Sequence, residues 1–239
     1  MCGRYSLATP TDDLVEVFQV DHSSLSDWIP RYNIAPTQDA PVILADAEGN
    51  RRLGAMRWGL IPFWAQDPTI GNRLINARSE SAAEKPAFRE AWTRRRCIVP
   101  ADGFYEWRAS DGGGPKTPFW IHRPDGAPLA MAGLWERWRD PEGNRLHSFT
   151  ILTRRATPWM APLHARMPVL LPPAAIQPWL TLEGGVPEGG GPPLEALEVS
   201  RLVNSPGNDE PGCVAPVPGG ERVPPRGGGD GAGEDQASS

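Results

Sequence analysis

Cysteine, histidine and long apolar runs are all scarce in this sequence, and each scarcity closes off a class of protein. Three cysteines occur in 239 residues, Cys2, Cys97 and Cys213. An odd number at such wide spacing offers no disulfide framework. Four histidines with no CxxC or HxxxH spacing give no zinc signature, so neither a metal nor a cofactor is expected. No stretch approaches the ~20 consecutive apolar residues that a membrane-spanning helix requires. The opening MCGRYSLATPTDDLVEVF lacks a basic region followed by an apolar run, so no signal peptide is expected. These exclusions predict a reduced cytoplasmic protein with no membrane partner.

What is present is uneven. Residues 1–180 hold 21 Lys and Arg against 19 Asp and Glu, whereas residues 181–239 hold 3 against 10. The overall charge of −5 therefore describes the end of the chain more than its body. It leaves room for a nucleic-acid partner, which needs only a local basic surface. Arginine outnumbers lysine 22 to two, the two being Lys85 and Lys116. Glycine and proline, 26 and 28 residues, crowd toward the C-terminus.

Strand-like runs dominate the order of elements. PVILAD (41–46), RCIVPADGFYEW (96–107), TPFWIHRP (117–124), PLAMAGLWERW (128–138), HSFTILTRRA (147–156) and RMPVLLP (166–172) are mostly separated by Gly-, Pro- or Asp-bearing turns. That favours antiparallel pairing over βαβ units. RYNIAPTQ (31–38) reads as turn-rich, and MRWGLIPFW (56–64) as a strand running into a loop. Helices are predicted from Thr11, as N-cap, through Phe18, over 83–96, and over 173–180. EGGVPEGGGPP interrupts the chain before one further strand, LEVSRLVN (197–204). The composition from about Gly207 predicts disorder. The reading is one α+β domain with a loose acidic tail.

Candidate chemistry starts at Cys2. Loss of Met1 would leave an amine and a thiol on adjacent carbons, with ordinary pKa values of about 7.7–8.0 and 8.5. Such a pair condenses with an aldehyde to a five-membered thiazolidine; alternatively the thiol alone attacks an acyl carbon. An incidental small residue behind methionine is the commoner explanation on position alone. Glu106, on the face of its strand that carries Phe104, sits among aromatics that would raise its pKa toward the range useful for proton transfer. An exposed edge-strand glutamate is the ordinary alternative. His164 suits proton shuttling, though lone histidines are more often structural. Asn76 is either an oxyanion partner or a turn-former. Arg4, Arg31, Arg57, Arg73, Arg78 and Arg94–Arg96 are candidate phosphate contacts, and Trp58 and Trp64 candidate base-stacking groups, each with an ordinary role in packing.

In combination the motifs say more. MCGRY, RYNIAPTQ, MRWGLIPFWA, INARSES, RCIVPADGFYEW, PFWI, AGLWE, FTILTRRA and LHARMPVLL occur in that order. The chain resembles the SRAP family, the SOS-response-associated peptidases, whose members process abasic sites in DNA. The resemblance spans residues 2 to about 215. It implies a compact domain around a mainly antiparallel, barrel-like sheet flanked by helices. It also implies a monomer that engages single-stranded DNA containing abasic sites, nucleoid-associated when on DNA. Its chemistry would be a thiazolidine crosslink through Cys2 after Met1 loss, with associated autoproteolytic and lyase activity in the DNA damage response. Asn76 would position the linkage, Glu106 act as acid and base, and His164 shuttle protons. Arg4 and Arg78 would hold flanking phosphates, Pro36 and Trp64 line the DNA path, and Thr153 lie near the site. The single tryptophan of PFWA departs from members that carry a pair there. The domain is assigned to 1–215, with a Gly/Pro-rich insertion near 184–193 and a disordered tail over 216–239. A cysteine peptidase acting on other proteins and a non-covalent single-strand binder are the competing readings.

Overall fold

The computed structural model describes residues 2–225, leaving out Ser26, Asp111 and Gly190. The chain opens with β1 (Tyr5–Leu7), α1 (Thr11–Val17) and β2 (His22–Ser23), followed by β3 (Arg31–Ile34), β4 (Asp39–Ala45) and β5 (Arg51–Trp58). A 3₁₀ helix (Pro68–Arg73) precedes β6 (Asn76–Arg78); α2 (Arg89–Arg94) then leads into β7 (Arg96–Ala101), β8 (Gly103–Arg108) and β9 (Thr117–His122). The long hairpin β10 (Leu129–Arg139) and β11 (Arg145–Arg155) is followed by β12 (Arg166–Pro168) and α3 (Pro173–Leu180). β13 (Glu195–Glu198), 3₁₀ turns at Arg201–Asn204 and Pro211–Cys213, and β14 (Arg222–Val223) complete it.

Five strands close into a barrel in the order β11-β10-β7-β4-β5 and back to β11. An odd number of strands cannot alternate direction all the way round a ring. One neighbouring pair must run parallel, and here it is β5 with β11, through Ser148↔Arg57 and Phe149↔Trp58. The other four pairings are antiparallel. β7 and β4 are buried along most of their length, consistent with runs such as CIVPA and APVI that have no polar face. Trp58, fully buried, stacks on Phe149 at 6.3 Å and meets Tyr5 edge-on at 5.1 Å. These rings link the barrel to the second sheet, β14-β13-β9-β8-β1-β3. The expected α+β domain with a barrel-like, mainly antiparallel sheet is what the structure contains.

Several local expectations differ. RCIVPADGFYEW is two strands in two sheets. The chain changes sheet at Asp102, whose carboxylate accepts hydrogen bonds from the Ala8 N–H and the Thr9 hydroxyl. Thr11 does not cap α1. The helix begins on it after Pro10, and its hydroxyl instead accepts the Trp28 N–H at 3.0 Å. The predicted helix over 83–96 is helical only at Arg89–Arg94, and RYNIAPTQ holds a strand, β3. The stretch from Gly207, and the tail drawn from 216, are ordered as far as Pro225. Asp209 binds the β3 backbone, β14 pairs with β13, and the Trp159 indole donates to Pro224 O at 2.8 Å. The rest of the predicted tail, 226–239, lies outside the described residues. The Gly/Pro-rich insertion is strapped down, with Gly184 O accepting from Arg96 and Pro187 O from Arg154 at 2.8 Å.

Candidate active site

Strand register assembles the site from four distant parts of the chain. β1 pairs antiparallel with β8 through Tyr5↔Phe104, which sets Glu106 across from residue 3 and beside Cys2. β6 lies parallel to β11 through Ile151↔Asn76 and Thr153↔Arg78. The Asn76 amide then donates from Nδ2 to Cys2 O at 2.7 Å, while its Oδ1 is buried without a hydrogen-bond partner among the described residues. β12 pairs with the end of β11, and the turn before it carries His164. His164 Nδ1 lies 3.8 Å from Glu106 Oε1 and 3.0 Å from both N and O of Arg166. Unprotonated, that nitrogen accepts the Arg166 N–H; protonated, it can face the carboxylate as a donor.

Electrostatics follow from burial. Cys2 is fully buried, which pushes its thiol far above the ordinary range, and the neighbouring Glu106 charge pushes the same way. Glu106 is 2% exposed; burial raises its carboxyl pKa, and His164 works in the opposite direction. The predicted strand geometry holds: Phe104 and Glu106 share a face, while Tyr105 packs on the other side in a small cluster with Val199, Val203 and Cys213. A thiol and a carboxyl, both pushed above their usual ranges by burial, thus lie with an amide and an imidazole, groups suited to acid–base chemistry. Among the described residues no cluster of His, Cys, Asp and Glu is arranged to hold a metal.

A family model described as SOS response associated peptidase (SRAP) matches residues 1–206. The chain belongs to the SRAP family. Abasic site processing protein YoqW of Bacillus subtilis (strain 168) is 42% identical over 225 residues, spanning 90% of this chain and 99% of that protein. Abasic site processing protein HMCES of Rattus norvegicus is 30% identical over 275 residues, spanning 91% of this chain and 76% of that protein. A crystal structure from Bacteroides thetaiotaomicron superposes with a TM-score of 0.79 at 25% identity, over 90% of this chain and all of that one.

Within this SRAP fold the remaining candidates divide. Arg78 is exposed at the end of β6, and Thr153 is buried beside it, its hydroxyl 3.4 Å from Ala77 O. Trp64 is 48% exposed and Phe63 56% in the loop after β5, while Pro36 is half-buried in the turn after β3. Arg4 is already engaged: Nη1 donates to Asn33 Oδ1 at 2.7 Å and Val203 O at 3.0 Å. Trp58 is a core residue, since β5 alternation points it into the barrel, so it does not stack on bases. Arg31 is bound to Asp209 and Gln38, Arg95 to buried Glu136 at 2.9 Å, and Arg96 lies between the rings of Trp92 and Trp179. Arg31, Arg95 and Arg96 are thus engaged within the fold.

One cation at the site was missed in the sequence. Arg166 donates to Thr153 O at 2.6 Å and forms two bonds to Glu80, at 2.8 and 2.9 Å, which hold the Glu80 carboxyl at about 2. It sits two residues after His164 in LHARMP, and strand alternation from His164 could have singled it out.

Proposed function

We propose that this SRAP protein captures abasic sites in single-stranded DNA as covalent adducts on Cys2. The observation that carries the reading is the anchoring of the second residue. Cys2 is fully buried and its carbonyl accepts from Asn76, where chain ends ordinarily fray. Removal of Met1, by the protein itself or by an aminopeptidase, exposes the α-amine. That amine attacks the ring-opened aldehyde; a C–N bond forms and the aldehyde oxygen leaves as water, protonated by Glu106. The thiol then adds to the C=N carbon, its proton reaching the nitrogen through Glu106, and the thiazolidine closes. Because burial keeps the Cys2 thiol protonated, the amine acts first. His164, 3.8 Å from Glu106, resupplies protons and serves the β-elimination that nicks the strand. Arg78, Arg4, Pro36, Trp64 and Thr153 line the path of the DNA.

The test is a denaturing gel of the protein with a single strand bearing one abasic site, beside Cys2→Ala. A heat-resistant, slow band for the native protein alone supports the reading. No band, with Met1 absent by mass spectrometry, overturns it. A peptidase acting on other proteins needs no α-amine, so acetylating that amine with the thiol untouched separates the two. Loss of activity excludes the peptidase.

A further inference from the structure

The far end of the β10–β11 hairpin takes no part in the Cys2 site. There the register sets Arg137 opposite His147 and Arg139 opposite Arg145, all four exposed on one face. The next pair along that face is Trp135 and Phe149; the Trp135 ring meets His147 edge-on at 5.9 Å and forms the floor of the strip. Among the described residues none of the three guanidinium groups is in an ion pair or a hydrogen bond. The nearby acids do not compensate. Asp140 in the turn is occupied by Asn144, at 2.7 and 2.8 Å, and Glu136 is buried on the opposite face with Arg95. Glu142 is the one remaining acid of the turn. Like charges set directly opposite each other across an antiparallel pair repel. Partial burial, with Arg137 and Arg145 on either side, also pulls the His147 pKa down. Among the described residues no ion pair offsets this crowding, and a polyanion would.

We propose that this strip is a second, non-covalent DNA subsite that grips the phosphate backbone of the strand as it leaves the Cys2 site. The proposal rests on the abasic-DNA reading above and extends it along the same nucleic acid. β11 itself supplies the track: Ile151 and Thr153 lie beside Asn76 and Arg78, and Arg145 and His147 are four to eight residues away on that strand. At about 3.3 Å per residue the strip is about 13–26 Å from the site, or about four to eight nucleotides of stacked strand at ~3.4 Å each. The other face of the hairpin is tied to the loop carrying Phe63 and Trp64, because Trp138 Nε1 donates to Ala65 O at 2.7 Å. Strip and exposed aromatics are thus held in one frame. Planar guanidinium groups suit phosphate oxygens, which accept two parallel hydrogen bonds.

The experiment compares the native protein with the combined Arg137→Ala, Arg139→Ala, Arg145→Ala variant on two single strands, one with about two nucleotides and one with about ten on each side of the lesion. A tetrahydrofuran analogue, which has no aldehyde, reports non-covalent affinity against salt, and the true abasic site reports capture rate. The expected result on the long strand is a salt slope shallower by about 2, from three phosphate contacts at ~0.7 each. The short strand should show unchanged affinity and capture. The corresponding triple Lys variant, which keeps the charge, should restore the slope. Equal slopes for native and Ala proteins on the long strand overturn the proposal, as does an equal loss on the short one. The expected difference in slope between native and Ala proteins, with no adduct from the native protein, would instead sink the Cys2 reading and leave the strip standing.

Discussion

Asn33→Ala should unfasten the C-terminal segment from the N-terminal strand. Asn33 is fully buried, and its amide nitrogen shares two protons among Val203 O at 3.2 Å, Ser205 O at 3.0 Å and Asn208 O at 2.6 Å. Its oxygen accepts from Arg4 at 2.7 Å. The two donated protons are together worth about 2 kcal/mol net, and a bond to a charged group about 1.5–3. The lost bonds sum to about 4 kcal/mol, with Val203 O keeping Arg4 Nη1, Ser205 O the Asn208 N–H and Asn208 O the Cys213 thiol. For a domain of this size each kcal/mol lowers the melting temperature by about 2–4 °C, so a drop of about 8–16 °C is expected. Thermal unfolding followed by circular dichroism measures it. Asn33→Asp should fare no better, because a carboxylate would face three carbonyl oxygens where donors are needed. A double-mutant cycle with Arg4→Ala should return a coupling of about 1.5–3 kcal/mol. A shift under about 2 °C, or strict additivity in the cycle, would refute the argument.

Glu106→Gln should slow capture of an abasic strand by about 10²–10⁴-fold, and the inflection expected of the native rate above the ordinary carboxyl range should be absent from its pH profile. The same variant should change stability with a definite sign. The raised folded pKa makes the native carboxyl favour the fold below about 4.3, with that stability lost as pH rises through the folded value. The Gln protein should lack this loss, and denaturant titrations at pH 4 and pH 8 would reveal a retained slope as a contradiction. Gly103→Ala would drive a methyl against the Trp120 indole and to 2.7 Å from Ile121 O. A cost of about 1–3 kcal/mol is expected, and a chemical-denaturation midpoint equal to the native one would count against it.

Legibility in the sequence followed the range of the interaction. Cys2 could be singled out because amine-and-thiol chemistry depends only on its position, and Glu106 because strand alternation is local. The Asn76–Cys2 contact depends on β6 lying parallel to β11, a pairing between segments roughly seventy-five residues apart with no local signal. Trp58 and Trp64 look alike in composition. β5 carries one into the barrel, and the loop after β5 leaves the other exposed. Arg31 and Arg96 were equally plausible as phosphate contacts until Asp209 and the Trp92–Trp179 pair occupied them. The Gly- and Pro-rich stretch after 207 misled because composition measures how much apolar surface a segment brings. It does not register that Asp209 satisfies two backbone N–H groups and the Arg31 guanidinium of β3.

The parallel β5–β11 seam also dictates the order in which the molecule can be made. Trp58 and Phe149 meet across roughly ninety residues of intervening chain, so the ring closes only after everything between them has been synthesised. Contacts of such long sequence separation carry the largest loop-closure cost and slow folding. Until then the end of β5 beyond its short pairing with β2 is an unpaired edge open to any strand it meets, and Cys2 waits for Glu106 and His164 to arrive. A Met1 cleavage performed by the protein itself therefore belongs to the finished fold, whereas a processing enzyme can act on the emerging chain.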